Sequence, residues 1–130
     1  MRYMLLVYLD EKALGEAERE KCYIESTQLT HDLNASGHYL AAAPLHPVAT
    51  ATSLRIREGR QLITDGPFAE TREQLGGYFL IEAEHLDEAM GIAARIPAAK
   101  FGTIEIRPVV ELAGMPEPAL VRKEEVTIHE

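Results

Sequence analysis

The sequence predicts a single α+β domain, and its length, its composition and its apolar periodicity carry that prediction. The chain has 130 residues, which is the length of one typical domain. Hydrophobic residues make up 46% and charged residues 26%, so a disordered or fibrous chain is excluded. Residues 1–110 alternate short extended patterns with two helical patterns, whereas residues 111–130 are predicted to be a C-terminal tail.

The first third of the chain predicts a strand, a helix and a second strand. Arg2–Leu9 is a nearly continuous apolar run, too short to span a membrane and without a small-residue cleavage site behind it, so we expect a buried strand. Tyr39–Ala43 predicts a short strand that Pro44 closes. Between them, Glu16–Ser36 is expected to be a helix that Gly37 ends, because four side chains recur at helical spacing: Cys22, Ser26, Leu29 and Leu33.

The remaining elements are a hairpin, a strand, a helix and a strand. Thr52–Arg57 and Gln61–Thr64 are joined by a short connection containing glycine, which predicts the two strands of a β-hairpin. Gly76–Ala83 is rich in aromatic and branched side chains and predicts the next strand. Leu86–Ile96 has helical spacing up to a proline, and Thr103–Val110 predicts the last strand. This order is a ferredoxin-like split βαβ pattern with an inserted β-hairpin.

An open sheet with its helices on one face leaves the apolar side chains of the other face in water. We therefore expect a homodimer in which two copies pack sheet against sheet around a two-fold axis. Residues 111–130 carry two basic and five acidic side chains. This tail is expected to be either a disordered end or an arm across the partner subunit.

The charge and the cysteine content exclude several functions. Thirteen Lys and Arg against 21 Asp and Glu give a formal net charge of −8, which disfavours binding to nucleic acid or to an anionic membrane surface. The single cysteine, Cys22, cannot close an intramolecular disulfide or complete a zinc ribbon, and a reducing cytoplasm fits it best. On the apolar stripe of a helix, a small core residue is more common than a nucleophile. No cofactor is predicted.

The segment Asp65–Tyr78 joins two predicted strands and concentrates polar side chains behind a bend that a Gly-Pro pair imposes. Two interpretations are open. In the first, Asp65 caps a turn, Phe68 fills the core, and three charged side chains are solvated: Glu70, Arg72 and Glu73. In the second, Asp65 is half-buried beside His46 or a tyrosine and acts as a general base.

The second interpretation predicts a ligand pocket beside the bend, with Asp65 and His46 as catalytic residues. The walls of this pocket are expected to include Tyr8, Phe68, Glu70, Glu73 and Tyr78. The spacing of the acidic residues matches no established metal template, so no metal is predicted. The hairpin carries a basic strip: Arg55, Arg57 and Arg60. This strip either binds an anionic ligand, binds the acidic tail of the partner subunit, or is an ordinary solvated face.

Three stretches of the chain resemble the DGPF family of YCII-related proteins. They are the opening Arg2–Tyr8, the run Thr50–Arg57, and the segment Asp65–Tyr78 with its Asp-Gly-Pro-Phe-Ala-Glu-Thr and Glu-Gln-Leu-Gly-Gly motifs. The resemblance spans about residues 1–110. It implies a dimeric ferredoxin-like α+β barrel from a bacterium, encoded near alternative sigma factors. It implies no particular reaction.

The better-understood YCII branch consists of small lyase-like enzymes with a histidine in the first helix and an aspartate near the end of the second. The comparable regions here, Lys21–Ile24 and Ala94–Pro97, contain neither residue. That pair is therefore not transferred. If the chain is an enzyme, we expect its acid and base to come from the loop that contains Asp65.

Three functional classes stay open at this point. The first is a small-molecule-binding protein or a weak proton-transfer enzyme, lyase-like or isomerase-like, with Asp65 as base and His46 as its partner. The second is an interaction protein that regulates transcription through a protein partner such as a sigma factor, with which the acidic charge is compatible. The third is a structural dimer with no ligand.

Overall fold

The computed structural model describes residues 1–116, so residues 117–130 of the predicted tail lie outside the described residues. Short 3₁₀ turns cover Glu11–Ala13, Val48–Thr50 and Pro97–Lys100. The strands and α-helices of the described part follow in this order: β1 (Arg2–Leu9), α1 (Glu16–Ala35), β2 (Tyr39–Pro44), β3 (Thr52–Arg57), β4 (Arg60–Asp65), β5 (Gln74–Glu82), α2 (Leu86–Ala93) and β6 (Thr103–Pro108).

Four of the strands form one antiparallel sheet with the order β2-β5-β1-β6, and β3 and β4 form a separate two-stranded ribbon. The predicted α+β class and the ferredoxin-like order with an inserted β-hairpin are confirmed. The main sheet of the described residues is open. The barrel that the family resemblance implies therefore requires a second copy of the chain.

The two edge strands of the main sheet, β2 and β6, are short and end in proline. The pairing of β2 with β5 is irregular between Tyr39 and Ala41, and β2 ends at Pro44. β6 ends at Pro108. Proline cannot donate a backbone hydrogen bond, so the row of donors on each edge strand ends at its proline.

The core lies between one face of the sheet and the two helices. In β1 every second residue is buried, with Leu5 fully buried between Tyr3 and Val7, and in β5 Phe79 and Ile81 face the same layer. The helices and the turn after α2 add the remaining large buried side chains: Leu29, Leu33, Ile92 and Ile96. Alternate side chains of the same strands point to the opposite face and stay partly exposed: Met4, Leu6, Tyr8, Tyr78 and Leu80.

α2 ends three residues earlier than the apolar spacing predicts, at Ala93 instead of Ile96. The residue before a proline is sterically disfavoured in the helical conformation. Ile96 precedes Pro97 and is accordingly extended, with φ −70° and ψ 126°. Its side chain is nevertheless 2% exposed, so it still contributes to the core from the turn.

A reciprocal pair of hydrogen bonds begins α2. His85 Nδ1 accepts a hydrogen bond from the Glu88 backbone N–H at 3.2 Å, and Glu88 Oε1 accepts one from the Glu84 N–H at 3.0 Å. Such pairs satisfy the unpaired donors of a helix N-terminus. The hydrogen bond from Glu84 and the neighbouring His38 ring lower the pKa of the Glu88 carboxyl below its ordinary value.

Gly77 is a point of close approach between β5 and β2. A Cβ atom at this position would lie 2.9 Å from the Ala43 carbonyl oxygen and 3.3 Å from Pro44 Cα, both backbone atoms. A Cβ atom at Gly76 would instead meet the Leu9 side chain at 3.6 Å, which is ordinary contact. The second glycine of the Gly-Gly pair is therefore required by strand packing.

We expect Gly77→Ala to lower the free energy of unfolding by about 1–3 kcal/mol, because β2 must move away from β5 to admit the methyl group. Gly76→Ala is the matched control and should cost less than about 1 kcal/mol. Urea denaturation followed by circular dichroism measures both values. Equal effects of the two substitutions would contradict the packing role of Gly77.

Candidate functional site

The bend that follows the hairpin is built from backbone contacts. Gly66 has φ 108°, a conformation that favours glycine, and its N–H donates to the Ala51 carbonyl at 2.7 Å. The Ser53 hydroxyl donates to the Gly66 carbonyl at 2.8 Å. Asp65, the last residue of β4, is exposed instead of half-buried. The sequence pattern predicts the turn correctly, but the burial of Asp65 depends on which distant residues pack against it.

His46 lies in the exposed loop after β2. Within residues 1–116 its ring makes no hydrogen bond to Asp65, and the Asp65 carboxylate makes none to His46 or to a tyrosine. The single chain therefore does not bring the predicted catalytic pair together. The catalytic role of the two residues stays a prediction.

Phe68 is 74% exposed, so the interpretation in which it fills the core is wrong. Its ring packs instead under the Arg55 guanidinium, whose carbon lies 4.6 Å from the ring centroid. Arg55 thus has a partner within its own chain.

The other predicted wall residues are dispersed. Glu70 is exposed, and Glu73 is partly buried and accepts a hydrogen bond from the Thr103 hydroxyl at 2.8 Å. The Tyr8 hydroxyl contacts Glu105 Oε1 at 3.5 Å on the sheet face opposite the helices. Tyr78 is the one predicted wall residue that borders a cavity of the described part of the chain, although its register position opposite Leu6 places its side chain on the outer face of the sheet.

That cavity, which we call the interlayer cavity, lies between the middle of α1, residues 22–30, and the sheet. It has a volume of about 230 Å³. Its floor comes from β1, β2 and β5, its roof from α1 and its end from the turn after α2. The main wall residues are mostly apolar or small: Val7, Leu9, Ala42, Gly77, Phe79 and Ile96.

The cavity exists because the side chains on the apolar stripe of α1 are smaller at its first two positions than at its last two. Leu29 and Leu33 are buried against the sheet and hold the C-terminal half of the helix in place. At the preceding stripe positions, Cys22 and Ser26 carry small side chains, so space remains above the sheet. Small residues on the facing strands, among them Ala42 and Gly77, keep that space open. The decrease in side-chain size at Cys22 and Ser26 along the predicted apolar stripe is the signal in the sequence that points to this cavity.

The cavity presents a few hydroxyl groups. Thr27 and Thr30 donate theirs to carbonyls of α1, to Tyr23 O at 2.7 Å and to Thr27 O at 2.6 Å. Within the described residues, the hydroxyls of Tyr23, Ser26 and Tyr39 have no protein partner. They are therefore free to bind a polar group of a ligand. No carboxylate or imidazole lines this cavity in the described chain.

A second cavity of about 350 Å³ adjoins the first at Cys22, which lines both. Its wall is charged, with Lys21 and Lys100 opposite three acidic side chains: Asp10, Glu18 and Glu25. Lys21 Nζ lies 3.9 Å from Glu25 Oε1. The two cavities thus differ in character, one apolar with free hydroxyls and the other a mixed-charge surface.

Burial raises the pKa of the Cys22 thiol, and the nearby carboxylates of Glu25 and Glu18 raise it further, against a smaller opposing effect of Lys21. A thiol with a raised pKa is a weak nucleophile near neutral pH, because the thiolate is the reactive form. Cys22 therefore serves as a wall residue. Residues 1–116 contain no cluster of three or more His, Cys, Asp or Glu that could hold a metal ion.

Comparison with known proteins places the chain in a family. A model of the YCII-related domain matches residues 1–113. An uncharacterized protein of Rhizobium meliloti (strain 1021) is 37% identical over 118 residues, which cover 84% of this chain and 92% of the relative. None of the helices within residues 1–116 is long and apolar enough to cross a membrane.

A solved structure has the same fold. It is the 5-chloro-2-hydroxyhydroquinone dehydrochlorinase of Burkholderia phenoliruptrix AC1100 in complex with 2,5-dihydroxybenzoquinone, with a TM-score of 0.52. The alignment covers 85% of this chain and 95% of the dehydrochlorinase at 15% sequence identity, so the likeness is one of fold. The family match over nearly the whole described chain and the identity to the Rhizobium relative establish that this chain belongs to the YCII-related family.

Proposed function

We propose that this protein binds a small, single-ring molecule with oxygen substituents in the interlayer cavity. The observation that carries the proposal is the cavity itself, an apolar space under α1 lined by three residues whose hydroxyls have no hydrogen-bond partner within residues 1–116: Tyr23, Ser26 and Tyr39. An apolar cavity with a few polar groups is the usual form of a small-molecule site. Small-molecule binding is the class that the sequence predicts. The proposed site, however, lies beneath α1 instead of beside the Asp65 bend.

The size of the cavity limits the ligand. An apolar cavity of about 150 Å³ accommodates benzene. The interlayer cavity, at about 230 Å³, has room for one ring with short substituents and no room for a nucleotide. The hydroxyls of Tyr23, Ser26 and Tyr39 both donate and accept hydrogen bonds, so ring hydroxyl or carbonyl groups are suitable partners.

The dehydrochlorinase with the same fold supports this ligand class. Its complex contains 2,5-dihydroxybenzoquinone, a single ring with four oxygen substituents. A lyase-like or isomerase-like reaction in the present chain would need a base, and the described wall of the cavity has no carboxylate or imidazole. Binding is therefore the primary proposed function, and proton transfer depends on a group brought from elsewhere.

A second copy of the chain is the proposed source of that group. The sheet face opposite the helices carries partly exposed apolar side chains, among them Leu6, Tyr8 and Leu80. Two copies packed through this face would remove these side chains from water around a two-fold axis. The proposed homodimer would also add surfaces beside the bend, where Asp65 is exposed in the single chain. The lone cysteine fits a cytoplasmic location.

The ligand proposal is tested by filling the cavity. We expect Ser26→Leu to raise the dissociation constant for 2,5-dihydroxybenzoquinone or resorcinol at least tenfold, about 1.4 kcal/mol, because the larger side chain occupies the ligand's space. Gln28→Leu, on the exposed side of α1, is the matched control and should leave the constant within about twofold. Isothermal titration calorimetry measures both. A wild-type protein that binds neither probe, or equal binding by Ser26→Leu, would overturn the proposal.

The thiol at the junction of the two cavities gives a pH prediction. Burial and, to a smaller extent, the nearby carboxylates raise the pKa of the Cys22 thiol, so the midpoint of iodoacetamide alkylation against pH should lie above that of a free cysteine. Glu25→Gln removes one of these charges and should move the midpoint to lower pH, whereas Lys21→Gln should move it to higher pH. Mass spectrometry of the alkylated protein gives the rates. A midpoint below the free-cysteine value would contradict this account of the site.

The catalytic role predicted for Asp65 is tested separately from binding. Because Asp65 is exposed and outside the core, Asp65→Asn should change the free energy of unfolding by less than about 0.5 kcal/mol. We expect it to retain probe binding and to lose any protein-catalysed exchange of ring hydrogens for deuterium, measured by proton NMR with bound resorcinol. Undiminished exchange in this variant would remove Asp65 as the base.

A further inference from the structure

Three polar side chains contact one another in series at the C-terminus of α1: Ser36, His38 and Glu88. Ser36 Oγ lies 2.7 Å from His38 Nδ1, and His38 Nε2 lies 3.4 Å from Glu88 Oε1. None of the three lines either of the two cavities described above. A hydroxyl, an imidazole and a carboxylate in this order are the groups that activate a serine nucleophile. We call this cluster the Ser36 site.

A left-handed turn at Gly37 brings the serine and the histidine together. Gly37 has φ 82°, and its N–H donates to the Asn34 carbonyl at 3.2 Å. The His38 N–H donates to the Leu33 carbonyl at 2.9 Å. These two hydrogen bonds form the Schellman motif that ends α1. The His38 carbonyl accepts a further hydrogen bond from the Glu82 N–H at 2.8 Å, so the backbone that carries the imidazole is fixed on both sides.

The position of Glu88 determines which ring nitrogen of His38 carries the proton. The hydrogen bond from the Glu84 N–H and the neighbouring imidazole lower the pKa of the Glu88 carboxyl, so this group is ionised at neutral pH. A carboxylate beside Nε2 favours the tautomer with the proton on Nε2, which leaves the lone pair of Nδ1 facing the Ser36 hydroxyl. The other acceptor near that hydroxyl, the Leu33 carbonyl at 3.1 Å, already accepts the His38 N–H. The hydroxyl proton is therefore directed to Nδ1.

We infer that Ser36 accepts acyl groups from small activated esters, with His38 as its general base. Ser36 Oγ attacks the ester carbonyl carbon, and its proton moves to His38 Nδ1. The bond from that carbon to the aryl oxygen breaks, the proton passes to the aryl oxygen, and a phenol is released. Water, with His38 again as the base, then hydrolyses the acyl ester and restores the Ser36 hydroxyl. Glu88 acts through His38 and is a positioning residue.

The surroundings of the Ser36 site support this chemistry and limit its substrates. When the hydroxyl loses its proton, the imidazole becomes a cation, which the Glu88 carboxylate and the C-terminal carbonyls of α1 both stabilise. Ser36 is exposed, and the side chains of His38 and Glu88 are 26% and 33% exposed. An ester therefore reaches Ser36 directly from solvent. Because the site lies outside both cavities, small esters with a good leaving group, such as an aryl oxide, are the suitable class.

Labelling with phenylmethanesulfonyl fluoride tests the nucleophile, because this reagent sulfonylates an activated serine irreversibly. Mass spectrometry of the digested full-length protein gives the labelling rate of Ser36 itself. We expect Ser36 to be labelled in the wild type and at least about 100-fold more slowly in His38→Gln, which lacks the base. His31→Gln changes an exposed histidine of α1 and is the matched control, whose rate should stay within about twofold. An unlabelled Ser36 in the wild type, or equal labelling in His38→Gln, overturns the proposal.

Acyl transfer is measured with 4-nitrophenyl acetate, from the absorbance of the 4-nitrophenol released. Protein already sulfonylated on Ser36 should release it no faster than Ser36→Ala, and both should be slower than the unlabelled wild type. Equal rates for the sulfonylated and the unlabelled protein overturn acyl transfer at Ser36.

The positioning role of Glu88 has a spectroscopic test. Glu88→Gln keeps an acceptor for the Glu84 N–H and removes the charge, so labelling of Ser36 should become about tenfold slower. Long-range ¹H–¹⁵N NMR should show the neutral His38 ring protonated at Nε2 in the wild type, and a smaller fraction of that tautomer in Glu88→Gln. Far-ultraviolet circular dichroism verifies the fold of each variant. A neutral ring protonated at Nδ1 in the wild type overturns the proposal, whether or not a variant folds.

Discussion

One-sided burial of the four-stranded sheet is the constraint on which the other features depend. Each central strand places alternate side chains under the helices, where Leu5 and Ile81 are fully buried, and leaves the intervening ones outside. The outer set has Leu6 and Leu80 at its centre and charged side chains around them: Arg2, Glu82, Glu105 and Arg107. A single pattern of alternation therefore creates both a closed layer that contains the cavity and an open layer that a second copy can cover.

The interlayer cavity follows from how α1 is attached to that closed layer. The helix is held by Leu29 and Leu33 in its C-terminal half, while the preceding stripe positions, Cys22 and Ser26, carry small side chains over the sheet. Gly77 contributes from the other side, because the absence of a side chain brings β2 close to β5 and lowers the cavity floor. Gly77 therefore contributes both to the packing of β2 against β5 and to the space available for a ligand.

The elements of the fold could be predicted because their signals are local. The apolar run Arg2–Leu9 and the stops at Gly37 and Pro97 need only neighbouring residues, and the resulting boundaries agree with the structure within about three residues. The site could not be predicted in the same way. Whether Phe68 is buried depends on what lies opposite it, and it meets Arg55 on the ribbon instead of the core. A cavity is defined by missing volume between distant segments, so Tyr78 was the one predicted wall residue found in it.

The short edges of the main sheet limit what kind of assembly the chain can form. β2 ends at Pro44 and β6 at Pro108, so each edge offers an incoming strand only five residues of donors and acceptors before a proline. Lateral growth of one sheet into the next, the route to open-ended polymers, is disfavoured by these short edges. Association through faces remains, and because a face is used up once it is covered, such complexes are finite and closed.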